Sequence, residues 1–347
     1  MSHELLFFGG FILFIVCMLG IDLGLFSKSD KPVSFKAAAL MSGVWVLFAL
    51  GFAFILYRWG NELHNIHDFA ALQEIITRHY HNIEVNPNDL AASLQLYNKT
   101  LSIEYLTGYV VEYALSVDNI FVMVLLFSSF GIPEKYYHKV LVWGIIGAII
   151  LRCIFIFIGA ALIAKFGWIL YLFGGFLVYT GINMYINRNK EEEVDPENHP
   201  VVRFASKFFK VSPRLDGGHF FHKENGVKYI TPLFLVLLVI EFTDLIFAVD
   251  SIPAIFSVTK DPYIVFFSNI FAVLGLRSMF FLLVNIIDKF HYLNVGLAFL
   301  LVFIGAKMLL HSWLETIGFE THHSLIIIVA ILAISVIASL MFPKKST

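Results

Sequence analysis

Cysteine is almost missing from this chain. The two present among 347 residues, Cys17 and Cys153, both lie inside apolar runs, so there is no disulfide framework and no CxxC metal or redox motif. Charge is also scarce: Asp, Glu, Lys and Arg make up 14% of the residues, against about 25% in an ordinary soluble domain. With 24 basic and 26 acidic residues the formal net charge is −2, which excludes a polyelectrolyte partner such as nucleic acid. No nucleotide-binding P-loop is found, and none of the GxGD, HExxH or GxSG signatures of hydrolases, so neither ATP-driven work nor an enzyme is expected. What is abundant is apolar: 59% hydrophobic residues, 37 of them Phe, with a mean hydropathy of +0.79. A soluble globule cannot hide that much apolar surface. The composition is that of an integral membrane protein.

A helix needs about 20 residues to cross the ~30 Å hydrocarbon layer. Nine segments qualify, at approximately 5–26, 36–57, 105–130, 139–163, 166–186, 231–257, 264–286, 292–310 and 323–342. The expected fold is therefore all-α, a polytopic bundle of about nine transmembrane helices. The first segment has no Lys or Arg before it and reads as an anchor, not a cleaved signal peptide. With the N-terminus outside, the cytoplasmic loops carry 16 of the Lys and Arg residues and the outer loops five, so the positive-inside rule favours N-out, C-in.

The order of elements divides the chain into six parts. They are two N-terminal spans (1–57), an outer His- and acid-containing loop (58–104), three spans (105–186), a cytoplasmic loop (187–230), three more spans (231–310), and a last span with a short tail (311–347). The two triplets resemble each other. EYALSVDNIF at 112–121 aligns with EFTDLIFAVDSIPAIF at 241–256, so that Asp118 falls on Asp250, Glu112 on Asp244 and Asn119 on Ser251. LRCIFIF at 151–157 aligns with LRSMFFL at 276–282, placing Arg152 on Arg277. The stretches 165–184 and 289–308 align as well, with Gly181 on Gly305. Three spans per unit make the second copy enter the bilayer from the opposite side, an inverted repeat of the kind that places a transport site at the midplane.

Acids within or at the ends of spans are Asp22, Glu112, Asp118, Glu241, Asp244 and Asp250, opposed by Arg152 and Arg277 in mid-span. Charged side chains there cost about 2.5–3.5 kcal/mol each and mark functional sites by default. Surplus carboxylate with Asn119, Ser251 and Ser268 nearby, and no Cys or His, is an oxygen site for a hard divalent cation. The arginines read as structural partners: Asp244 or Asp250 for Arg277 and, by symmetry, Glu112 or Asp118 for Arg152. At 100° per residue, Glu112 and Asp118 cannot share one face of a straight helix. Either they serve different partners or the helix is irregular between them. Pro253 frees the carbonyl of Val249 beside Asp250, a further candidate ligand. Lys307 is expected to snorkel, and Asp22 to be an interfacial residue or an entrance ligand. His64, His67, His79 and His81 in the outer loop could bind divalent metal, but hydrated surface histidines are the commoner case. The same loop reads as one or two short amphipathic helices with Pro87 between them. The HFFH run at 219–222 has the same ambiguity, and EEEVD at 191–195 reads as a solvated linker.

At these residues the chain resembles the TerC family of integral membrane proteins. The closest stretches are IDLGLF (21–26), LTGYVVEYALSVDNIFV (106–122), GAIILR (147–152), TPLFLVLLVIEFTDLIFAVDSIPAIF (231–256) and SNIFAVLGLRSMFFLL (268–283). The resemblance covers essentially the whole chain, most closely an alkali-induced subgroup. It implies a secondary exporter of Mn²⁺ in a bacterial inner (plasma) membrane, with the bilayer as its environment and protons as the expected counter-ion. No prosthetic group is implied, and Mn²⁺ is the transported ion. The acids of the two motifs look like the transport site. The alternative is a non-transporting membrane factor for metalation or assembly of exported proteins. Thr243 stands where the family would have Ser, and the outer loop looks longer than the family pattern.

Overall fold

In the computed structural model the described residues are 3–26, 34–81, 83–188, 199–212, 215–224, 227–284 and 292–342. The helices are α1 (His3–Phe26), α2 (Phe35–Leu63), α3 (Phe69–His79), α4 (Leu90–Ser129), α5 (Tyr137–Lys165), α6 (Ile169–Asn187), α7 (Pro200–Phe208), α8 (Pro232–Phe256), α9 (Pro262–Leu283), α10 (Leu293–Leu309), α11 (His311–Thr316) and α12 (Thr321–Met341). The protein is a polytopic all-α membrane protein. Every expected span falls on a helix. Among the described residues seven helices are long and apolar enough to cross a bilayer, while Phe7–Gly20 of α1 and the whole of α10 are shorter apolar segments.

Caps mark where helices begin. Asp68, Asp89 and Asp261 each accept a backbone N–H of the first turn, from Ala71, Ala92 and Tyr263. These caps satisfy donors that lack an intrahelical acceptor. The segment 58–104 carries helices on either side of Pro87, as its pattern predicts: α2 runs on to Leu63, α3 occupies its middle, and α4 begins at Leu90. At 40 residues α4 is about 60 Å long, so it projects beyond the ~30 Å hydrocarbon layer. The segment before α8 contains short strands that its sequence does not signal. There β1 (Lys210–Val211), β2 (Phe221–Glu224) and β3 (Val227–Ile230) form a small sheet of order β1-β3-β2. Phe221 of the HFFH run packs against Phe234 at the start of α8 with tilted rings, 4.7 Å between centroids.

The core is built around α9, almost wholly enclosed by protein. Helices α2, α4 and α5 pack on it, and Phe11, Phe52, Phe267 and Phe271 form a buried aromatic cluster with centroids 4.4–5.6 Å apart. Large apolar side chains on α5, α6 and α12 face outward, as a lipid-facing surface requires. Contacts follow a pattern: α4 packs on α8, α5 on α9 and α6 on α10, while α4 also meets α9 and α5 meets α8. The closest pair is α6 and α10. A Cβ at Gly181 would meet the carbonyl of Ala298 at 2.6 Å and Val302, and a Cβ at Gly305 would meet the carbonyl of Gly174 at 2.6 Å and Val178. Small residues let the two backbones approach.

Candidate metal site in the helical bundle

Arg152 of α5 is 1% exposed, and three helices satisfy it. Its Nε and Nη2 donate to the two oxygens of Asp244 on α8, at 3.1 and 2.9 Å. Nη1 donates to Glu112 of α4 and, at 3.1 Å, to Asn269 of α9. The fork on Asp244 is bidentate, the geometry for which guanidinium suits carboxylate best. One sequence expectation is corrected here. Glu112 is one of the two partners expected for Arg152, but Asp244, expected as an alternative partner of Arg277, pairs with Arg152 as well, so Arg152 takes one acid from each aligned motif. Arg277 is buried on α9, a turn or two beyond Asn269.

The remaining acids lie elsewhere on the same helices. Asp118 on α4 and Asp250 and Glu241 on α8 are half-buried, and Asn119 and Ser251 are buried beside two of them. Asp250 Oδ1 accepts from Thr180 Oγ1 of α6 at 3.4 Å. Glu241 lies against Gly147 of α5, where any Cβ would collide with its carboxylate. Several buried polar atoms find no hydrogen-bond partner among the described residues: Glu112 Oε2, Glu241 Oε2, Ser116 Oγ, Ser251 Oγ and Asn269 Nδ2. Such atoms normally have partners. Atoms of this kind are where buried water or an ion is expected, but Asp118, Asp250 and Glu241 do not form a group of close ligand atoms among the described residues.

Helix α4 has helical backbone angles throughout, so irregularity does not bring Glu112 and Asp118 together. They serve different partners, Glu112 facing Arg152. Helix α8 likewise continues through Pro253, which leaves the Val249 carbonyl without its usual donor. Ser268 and Thr243 are not drawn toward these acids by hydrogen bonding: they donate to backbone oxygens of their own helices, Val265 at 3.1 Å and Val239 at 2.7 Å. Ser268 also sits where a Cβ on Gly108 would be, 2.8 Å away, at the α4–α9 contact. Position 22 falls in α1, but the Asp22 side chain lies outside the described residues, as does the run at 191–195.

The other end of the bundle holds a feature the sequence reading undervalued. His64 and His81 are buried, not hydrated, whereas His67 is exposed and bonds Asn65 at 3.1 Å. Burial would raise the carboxyl of Asp261, but the neighbouring imidazoles, His64 foremost, hold it well below the usual carboxylate range. Burial also lowers the His79 pKa; in His81 the Glu104 carboxylate overcomes burial and leaves the pKa raised. A cavity of about 510 Å³ opens nearby, lined in part by Glu84, Glu104, Thr259, Lys307, Glu320 and His322. No local signal could have shown this arrangement, because its members are up to 197 residues apart.

Comparison with known proteins agrees with this architecture. The family model for the integral membrane protein TerC family matches residues 97–347. An uncharacterized membrane protein of Myxococcus xanthus is 43% identical over 333 residues, 96% of this chain and 91% of its own. A protein of Escherichia coli K12 named Alx, for which the name itself only suggests a membrane-bound redox modulator, is 42% identical over 308 residues, 88% of this chain and 86% of its own. An uncharacterized membrane protein of Rickettsia felis is 37% identical over 94% of this chain and 95% of its own. No solved structure matches the chain.

Proposed function

We propose that this protein, which belongs to the TerC family of integral membrane proteins, is a secondary exporter of a hard divalent cation, Mn²⁺ above all, across a bacterial inner membrane. The observation that carries the reading is the division of labour among the buried acids. Arg152 engages Glu112 and Asp244, whereas the half-buried Asp118, Asp250 and Glu241 are not among its partners. Asp250, with Ser251 and the Val249 carbonyl next to it on α8, and Asp118, with Asn119 next to it on α4, offer oxygen donors only, which suit Mn²⁺ or Mg²⁺ better than Zn²⁺. Glu241 stands about 13.5 Å from Asp250 along α8.

The helix contacts support an inverted repeat as the frame of this site. Exchanging α4 with α8, α5 with α9 and α6 with α10 maps the main contacts onto one another. Gly181 meets residues three and seven before Gly305, and Gly305 meets residues three and seven before Gly181. That reciprocity is what a pseudo-two-fold axis between α6 and α10 produces. Asp244 and Glu112, aligned in the two motifs, reach the same guanidinium.

Sealed proteoliposomes containing this chain alone test the function. With an inward proton gradient across the membrane, Mn²⁺ should move against its own gradient, and dissipating the protons should stop it. Absence of Mn²⁺ movement in vesicles with correctly folded protein would overturn the transporter reading in favour of a metalation or assembly factor.

A further inference from the structure

Three side chains from distant parts of the chain converge at the end of the bundle that carries α3. His64 caps the C-terminus of α2, His79 ends α3, and Asp261 caps the N-terminus of α9. One ligand atom from each lies within 4.8 Å of the others. Asp261 divides its oxygens: Oδ1 accepts the Tyr263 N–H at 2.9 Å, and Oδ2 faces His64 Nε2 at 2.8 Å. The ring of His79 lies 5.2 Å from that of His64 and 6.1 Å from that of His81.

His81 supplies an independent sign. Tyr80 adopts a left-handed conformation that ends α3 and turns the chain inward, so His81 is 5% exposed. Its Nδ1 meets Glu104 Oε1 at 3.0 Å, and Glu104 Oε2 in turn accepts from Thr259 Oγ1 at 2.6 Å. That arrangement fixes Nδ1 as the protonated nitrogen when the ring is neutral and leaves the lone pair on Nε2. Nε2 is buried with no hydrogen-bond partner among the described residues. A carboxylate holding one nitrogen while the other stays open is how metal-ligating histidines are oriented. A plain His–Asp ion pair would account for His64 and Asp261, but not for the convergence of His79 or for the open nitrogen of His81.

We propose that His64, His79 and Asp261 form a binding site for a first-row transition cation of the Zn²⁺ type, with His81, oriented by Glu104 and outside that three-residue set, closing in as fourth ligand. Three imidazoles and one carboxylate are a borderline donor set, tetrahedral for Zn²⁺ with bonds of about 2.0–2.2 Å, and chemically distinct from the oxygen donors in the bundle. Binding replaces the proton that His64 Nε2 shares with Asp261. The ion clasps α3 to the outer end of α9.

Full-length protein in detergent micelles tests this. Purified without chelator and given Zn²⁺ followed by gel filtration, it should retain about one Zn²⁺ per chain, the occupancy of a closed tetrahedral site. Co²⁺ should develop the ligand-field bands of tetrahedral nitrogen coordination, abolished by added Zn²⁺. His79→Gln should lose the retained Zn²⁺, Glu104→Gln should weaken binding roughly 10–100-fold, and His67→Gln and Asp250→Asn should keep it. Retention in His79→Gln equal to that of the unmodified protein overturns the proposal. So does the absence of the Co²⁺ bands in the unmodified protein, a result that needs no variant to fold.

Discussion

Arg152 is the centre of a buried charge cluster in the bundle. It closes two carboxylates and an amide oxygen from three helices while being 1% exposed. Removing one partner of a buried ion pair costs about 3–5 kcal/mol, since the other charge stays desolvated. Arg152→Gln should therefore cut the folded protein recovered from membranes severely, measured by gel filtration of detergent extracts. Adding Glu112→Gln and Asp244→Asn to it should restore much of that recovery, because all three charges are then gone. Unchanged recovery in Arg152→Gln would show that the acids are neutral in the bundle. The presence of an arginine counter-ion was legible in the sequence from the mid-span positions alone. Its partners were not: Asp244 is 92 residues from Arg152, and only helix packing brings them together. The histidines failed for a related reason. Each was weighed in its own polar stretch, while burial of His64 and His81 comes from contact with Asp261 and Glu104, far along the chain.

Among elements, the crossing of α6 and α10 is the tightest, and it depends on glycine. Gly181→Ala and Gly305→Ala each place a Cβ within 2.6 Å of a backbone carbonyl, an overpacking that typically costs about 1–3 kcal/mol. Both variants should lower the thermal unfolding temperature in detergent, and by similar amounts, because each meets the equivalent atoms of the other helix. A large effect at one position only would break the proposed two-fold relation. Span positions were legible from the length of apolar runs, and the nine expected segments all coincide with helices. The helices on either side of Pro87 were legible from their amphipathic pattern, but the continuity of the second one with the span that follows was not, since no hydropathy signal links its polar start at Asp89 to the apolar run. The small sheet escaped for the opposite reason: strands of two to four residues are too short to show alternation.

The molecule as a whole couples these parts. Helix α9 runs through the middle, with Asp261 of the histidine cluster at its N-terminus, Asn269 on Arg152, and Arg277 further along. The inverted arrangement requires the α3 segment and the α7 segment to lie on opposite sides of the membrane. Single cysteines introduced at positions 65–95 should label only from outside, and those at 199–224 only from the cytoplasm. Labelling of both from one side would remove the repeat.

The central claim is that acids outside the Arg152 cluster carry the cation, and Asp250 tests it most directly. Asn keeps its shape and its hydrogen-bonding capacity toward Thr180 while deleting the charge. In proteoliposomes matched for protein content, Asp250→Asn should reduce Mn²⁺ flux to that of empty vesicles with the amount of folded protein unchanged. Flux equal to that of the unmodified protein would contradict the account and leave Asp250 a structural residue.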